Sequence, residues 1–307
     1  MWFRNLVLYR LPAGWSMSAA QLEEKLGTRP LKPCGALDML SRGWIAPAPS
    51  GRLLHVLDQH YLIALGVEQK LLPASIVRQE AQRRAKLKED SQGFPVGKRQ
   101  MRDLKLQVTD ELRARALSRQ RSTRAWLDPR SGWCVVDAAS PGKAEELIET
   151  LRDTLGSFAV QFVQTQRSAH TSMAAWLTHG GAPGRLGLDQ DLTLTTADGA
   201  KSTVRYTRHA LDLREIRSHL EAGKYPAQLG LCWNDRVAFM LTEKLAIKRV
   251  QFLDLEPDVE VQAQTAAALD KEEKFDADFL LMTGELTQLL DEIVQALGGE
   301  MQIQAAA

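Results

Sequence analysis

Cysteine is scarce: Cys34, Cys134 and Cys232 are the only three in 307 residues, an odd and widely spaced set. Neither a disulfide framework nor a local CxxC metal site can be assembled from them, so buried free thiols in a reducing cytoplasm are the expectation. No apolar run approaches the roughly 18 residues needed to span a bilayer. The N-terminus, Met1-Trp2-Phe3-Arg4-Asn5, lacks the basic stretch, apolar core and cleavage site of a signal peptide. Catalytic signatures are missing too. The six histidines include no pair at HxxxH spacing, and no GxSxG elbow occurs. Gly93-Phe94-Pro95-Val96-Gly97-Lys98-Arg99 is one residue short of a phosphate-binding loop and ends in Arg. Gly142-Lys143-Ala144 and Gly199-Ala200-Lys201-Ser202 also lack the full pattern. No cofactor is expected.

Net charge is the most informative shortage. Against 39 Lys+Arg stand 38 Asp+Glu, a formal +1. The sum hides its distribution. Residues 78–124 carry 14 Lys+Arg and 6 Asp+Glu, a net of +8, whereas residues 254–307 carry 2 Lys and 13 Asp+Glu, a net of −11. A dipolar chain of this kind points to an anionic partner for its basic part. With 44% apolar and 25% charged residues the composition is otherwise that of a folded soluble protein. The length suggests two or three domains, or one elongated body with lobes.

Along the chain, residues 5–11 read as a strand. Ser18 and Gln21 form a capping box for a short helix that stops at Gly27. Residues 53–57 and 61–65 suggest a hairpin. From Pro73 the character changes: Ser75 caps a helix to about residue 89, Gly93, Pro95 and Gly97 break it, and a second helix runs from 98 to about 119. Together they predict a projecting basic helical hairpin. Strands at 126–128 and 133–137 bracket the turn Pro129-Arg130-Ser131-Gly132. Ser140 and Pro141 open a helix closed by Gly156, and 158–163 is a strand. The glycine-rich stretch Gly180 to Gly187 is the candidate hinge. Beyond it come a hairpin through Asp198-Gly199, a helix boxed by Asp212 and Glu215, and strands at 228–233, 236–241 and 247–253. Residues 275–282 read as a strand leading to a helix capped by Thr283 and closed by Gly298-Gly299. The Ala-rich end, residues 302–307, reads as frayed.

Two chemical readings compete. On a strand, Asp276 and Asp278 would share a face with Glu285 nearby, and paired carboxylates can hold Mg²⁺ for phosphodiester hydrolysis. The basic segment makes the stronger case: Lys98, Arg99, Arg102, Lys105, Arg113, Arg115, Arg119, Arg121 and Arg124 form one surface able to neutralise phosphates. Phe94 is the only aromatic residue between Arg78 and Arg124. Single-strand binders rely on aromatic stacking, so this surface suits a duplex backbone. A protein-binding scaffold is the third reading.

Several blocks in order give the chain a resemblance to the RdgC family of bacterial recombination-associated proteins. They are Trp2-Phe3-Arg4-Asn5-Leu6 with Tyr9-Arg10-Leu11, Pro33-Cys34-Gly35, Gly43-Trp44, Lys70-Leu71-Leu72-Pro73 and His219-Leu220-Glu221-Ala222-Gly223-Lys224. The most specific is Phe275-Asp276-Ala277-Asp278-Phe279-Leu280-Leu281-Met282-Thr283-Gly284-Glu285-Leu286, closed by Leu297-Gly298-Gly299-Glu300. The resemblance implies an α+β fold: an elongated, horseshoe-shaped subunit with antiparallel sheets, flanking helices and a projecting helical tip. It divides into a central α+β region (1–74 and 125–168), the basic tip (75–124) and a C-terminal base (169–307). Two subunits would close into a ring around duplex DNA, bind it without sequence preference and restrain strand exchange by RecA, without enzymatic activity. Single-stranded DNA is a second candidate ligand, and the protein would be cytoplasmic and nucleoid-associated. The resemblance places DNA contacts at Arg115 and Arg119, with Lys98 and Arg99 compensating for Phe94 and Pro95 where a relative is basic; Arg102, Arg113 and Arg205 complete the expected DNA-binding set by their charge. The resemblance adds Arg208 where a relative has Lys, and His209 where a relative has Gln. Leu117 stands where a relative has a Phe that reaches into the partner subunit.

Overall fold

A computed structural model describes residues 2–12, 14–196, 202–253 and 270–301. Chain order begins β1 (Leu6–Arg10), α1 (Ala19–Gly27), β2 (Leu40–Ile45), β3 (Leu54–Leu57) and β4 (His60–Lys70). The tip follows as α2 (Ala74–Gln92) and α3 (Lys98–Arg115), then β5 (Ser118–Asp128), β6 (Trp133–Asp137), α4 (Pro141–Leu155), β7 (Gln161–Phe162) and α5 (Ala169–His179). The remainder is β8 (Leu186–Thr196), β9 (Thr203–Tyr206), α6 (Leu213–Glu221), β10 (Lys224–Trp233), β11 (Val237–Thr242), β12 (Ile247–Phe252) and α7 (Lys271–Ala296).

The strands form one twelve-stranded antiparallel sheet, an α+β architecture, in the order β2-β4-β5-β6-β1-β12-β11-β10-β8-β9, with β3 on β4 and β7 on β1. The central strands are apolar throughout because both their faces are buried. In β1, Leu6 and Leu8 enter one core while Val7 and Tyr9 enter the other. In β6, Trp133 and Val135 oppose Cys134 and Val136 in the same alternation. The two halves of the sheet join where Leu6 pairs with Ile247 and the Val250 N–H donates to the Arg4 carbonyl at 2.9 Å.

Helices α1 and α4 cover one face of the N-terminal half. Helices α5, α6 and α7 bury their apolar residues on the opposite face. Phe279, Met282, Leu286, Leu289, Leu290, Ile293, Val294 and Leu297 keep helical spacing along α7 and fill the larger core. This helix braces both halves. Phe279 meets the ring of His55 at 5.4 Å, the Trp133 indole donates to Asp291 at 3.2 Å, and the Trp233 indole donates to Glu292 at 2.8 Å.

Local signals land where the sequence puts them. Ser18 and Gln21 form the reciprocal capping box, Pro141 occupies the first turn of α4, and Gly93 and Gly156 close helices in the left-handed region. Other expectations are corrected. Helix α2 starts from Pro73 without a side-chain cap, and α3 ends at Arg115, so Arg119, Arg121 and Arg124 lie on β5, paired along β4. The strand expected over 158–163 contracts to β7, and β2 and α5 are additional elements. The segment from Gly180 to Arg185 is a loop pinned to α7, where the Arg185 backbone N–H donates to Glu292 at 2.6 Å, and Leu186 and Gly187 already belong to β8. Residues 275–282 are helical, and Thr283 is a buried mid-helix residue whose hydroxyl donates to the Phe279 carbonyl at 2.9 Å. The Asp198-Gly199 turn, the end at 302–307 and much of the acidic segment from 254 onward lie outside the described residues.

Candidate nucleic-acid interface

The tip exists because two polar helices share a very thin seam. Only Ala81 and Ala85 of α2 and Val108 of α3 are buried, so small side chains let the helices close while nearly all their charged residues remain outside. At 1.5 Å per residue each helix is about 27 Å long. The hairpin turn is fixed by Gly93 at φ 76°, by Glu89 accepting from the Val96 N–H at 2.7 Å, and by Gln100 accepting from the Gly97 N–H at 3.2 Å. Glu80 accepts from Arg83 and Arg84 at 2.8 Å, and Arg84 reaches across to Glu111 at 2.7 Å. The hydrogen bonds from Arg83 and then Arg84 pull the Glu80 carboxyl down to about 2, and Arg84 lowers Glu111 likewise.

This network divides the tip cations into two groups. Arg83 and Arg84 are paired, as is Arg121, which meets Glu146 of α4 at 2.5 Å. Arg113 turns inward, donating to the Leu37 carbonyl at 3.1 Å and lying 3.4 Å from Asp110. Lys98, Arg99, Arg102, Lys105, Arg115 and Arg119 are exposed, and none has a carboxylate within 4 Å among the described residues. Lys98, Arg102 and Lys105 share one flank of α3 by their i, i+4, i+7 spacing. Arg119 follows on the face of β5 that also carries Arg121. Leu117, between helix and strand, is 80% exposed, with Leu37, Leu71 and Ile76 exposed as well. Its carbonyl accepts from the Leu71 N–H at 2.7 Å, which ties it to the foot of the tip.

The remaining sequence-derived positions form a second group, at the other end of the sheet. Arg205 is exposed on the edge strand β9 opposite Thr193. Arg208 adopts φ 49°, and its backbone N–H donates to Asp191 at 2.8 Å. His209 holds Nδ1 2.8 Å from the Ala210 carbonyl, an arrangement in which Nδ1–H is the donor. Seven strand-to-strand steps separate β5 from β9, about 34 Å along the sheet. The fold thus strings Lys98, Arg99, Arg102, Arg115 and Arg119 along α3 and the start of β5, and sets Arg205, Arg208 and His209 at the other end of the sheet.

The carboxylates fare differently. On α7, Asp276 and Asp278 are two residues apart and point about 200° from each other, so they share no face. Asp276 lies 3.2 Å from His55 of β3, whose imidazole burial pushes below its ordinary value. Among the described residues no group of three or more His, Cys, Asp or Glu is placed to hold a metal ion. No described helix is long and apolar enough to cross a membrane. Sequence reasoning missed Arg249, which lies 3.6 Å from Asp191 beside the second group; it falls in an ordinary strand pattern with nothing local to mark it.

A family model described as "Putative exonuclease, RdgC" matches residues 1–300. Among similar proteins, the "Recombination-associated protein RdgC" of Dechloromonas aromatica (strain RCB) is 47% identical over 305 residues, covering 98% of this chain and 99% of that protein. The protein of the same name from Herminiimonas arsenicoxydans is 43% identical over 300 residues, again 98% and 99%. That from Janthinobacterium sp. (strain Marseille) is 42% identical over 302 residues with the same coverage.

Proposed function

The chain belongs to the RdgC family, and on that premise we propose that it acts in recombination as a non-enzymatic, sequence-independent binder of duplex DNA. Two copies form a ring around the duplex, and the ring obstructs strand exchange by RecA in the nucleoid. The observation that carries this reading is the set of exposed tip cations, Lys98, Arg99, Arg102, Lys105, Arg115 and Arg119 among them, that have no carboxylate partner within 4 Å among the described residues. Unpaired cations release counterions from DNA on binding, whereas Arg83, Arg84, Arg113 and Arg121 already have partners. Leu117 supplies an apolar contact between copies. An open groove of about 430 Å³ at the foot of the tip, lined by Met39, Leu72 and Val77 with Arg78, Lys105 and Arg113, is of a size to receive it.

The test is binding to random-sequence duplex, linear and closed circular, across a salt titration. Affinity should fall steeply with salt, and Arg115→Ala and Arg208→Ala should each make the slope shallower by about 0.9. Leu117→Asp should leave a monomer that is no longer retained on closed circles. Absence of DNA binding at low salt would favour the scaffold reading. The family description raises nuclease activity; plasmid cleavage with Mg²⁺ that disappears in Asp276→Asn would overturn the non-enzymatic one.

A further inference from the structure

The C-terminal half of the sheet has one face that no described helix covers. Leu192, Leu194, Tyr206, Leu229 and Leu241 point into the core under α5, α6 and α7. The alternate positions point the other way. Across neighbouring strands Gln228 pairs with Thr193 and Thr193 with Arg205, giving a polar row. Two residues before Thr193, on the same face, is Asp191.

Asp191 is a hub between two arginines from distant parts of the chain. Oδ1 accepts from the Arg208 backbone N–H at 2.8 Å, and Oδ2 lies 3.6 Å from Nη1 of Arg249. Arg249 comes from β12 and Asp191 from β8, three steps apart in the strand order, so the pair joins strands that are not neighbours. Gly230 on β10 packs directly against this segment of β8: a Cβ there would press on the Asp191 carbonyl at 3.0 Å and on the Asp189 Cβ at 3.2 Å. Both arginines have left-handed backbone, Arg208 at φ 49° and Arg249 at φ 53°, a conformation bulky residues avoid. The Arg249 position coincides with a register break between β11 and β12, a bulge that re-aims the side chain. Its side chain is nonetheless 72% exposed, and with Arg4, Asn5 and Gln251 it lines an open cleft of about 420 Å³ at the junction of the two sheet halves.

We propose that Arg249 and Arg4 form a phosphate-binding cleft on this open sheet face, continuous with Arg208, and that the Asp191 carboxylate holds the place of a DNA phosphate until the duplex arrives. The inference rests on the DNA-binding reading and extends it to residues outside the tip. Exposure leaves the Arg249 guanidinium free to exchange the carboxylate for a phosphate, and Asp191 keeps it extended along the face rather than collapsed on its own strand.

The experiment uses the full chain and a random-sequence duplex, from about 50 to about 200 mM salt. Arg249→Asn suits the left-handed backbone and removes the charge. It should make the salt slope shallower by about 0.9, so that across this range it loses about 3.5-fold less affinity than the parent protein. Arg249→Lys should keep the slope. Asp191→Asn retains an acceptor for the Arg208 N–H while removing a negative charge. It should tighten binding by about two- to threefold at low salt, the effect of one unit charge roughly 8 Å away in water. Adding Arg249→Asn should diminish that gain. An unchanged slope in Arg249→Asn, with a shallower one in Arg208→Ala, overturns this cleft and leaves the DNA-binding reading standing. Failure of the parent protein to bind duplex overturns both.

Discussion

Glu292 offers a quantitative test of how α7 holds the sheet and the glycine-rich loop together. One of its oxygens accepts from the Arg185 backbone N–H at 2.6 Å; the other accepts from the Trp233 indole at 2.8 Å and from Arg185 Nε at 2.9 Å. Its side chain is 16% exposed, whereas that of Arg185 is 50% exposed. Glu292→Ala therefore leaves two donors without partners, the indole and the amide, at about 1–1.5 kcal/mol each. The half-exposed guanidinium is resolvated and adds only about 0.5 kcal/mol. The expected loss is about 3 kcal/mol, read as a lower urea midpoint at unchanged m value by tryptophan fluorescence. The pH dependence sharpens the test. Burial raises the carboxyl's pKa, but the Trp233 and Arg185 hydrogen bonds outweigh it and the net shift is downward from 4.5. Its contribution is thus complete above about 4.5 and disappears as pH falls through the lowered native value. The parent protein should approach the variant in acid. A loss below about 1 kcal/mol at pH 7, or an equal gap at both pH values, would refute this account of the clamp.

Gly43→Ala should destabilise by more than about 3 kcal/mol, because a Cβ there would overlap the backbone of Pro30 and Leu31, which cannot move aside as a side chain can. A sharp fall in melting temperature would check it, and a shift of under a degree would count against the close crossing. The tip should loosen in acid before the sheet does. With Glu80 held down to about 2 by Arg83 and Arg84, the clamp is complete above about 4.5 and fails as pH drops toward 2, visible as faster amide exchange in α2 and α3. Exchange there that is constant over this range would show that the clamp does not hold the hairpin.

Much of the local structure was legible because its causes are local. A capping box such as Ser18–Gln21, a proline such as Pro141 in a first turn, and a left-handed glycine such as Gly93 act over three or four residues, so the chain carries their complete description. The basic segment was legible for the same reason, since charge density needs no partner. Thr283 shows the limit. A threonine before an apolar helical stripe looks like a cap, but the core beneath Phe279 and the packing of Phe275 and Phe279 on the His55 ring continue the helix through it to Lys271. Similarly, 118–124 is too polar to announce a strand and becomes one by pairing along β4.

By itself, then, the sequence determined the α+β class, the basic hairpin, the charge dipole and the family. Only the tertiary structure decided which cations remain available. Arg113 and Arg121 look no different in sequence from Arg115 and Arg119, yet Leu37 and Glu146 occupy the first pair, and among the described residues no carboxylate lies within 4 Å of the second. It also placed Arg249 beside Arg208 through Asp191. Ion pairs and strand neighbours join residues far apart in the chain, and their distances are set by how the sheet closes, which no local spacing encodes.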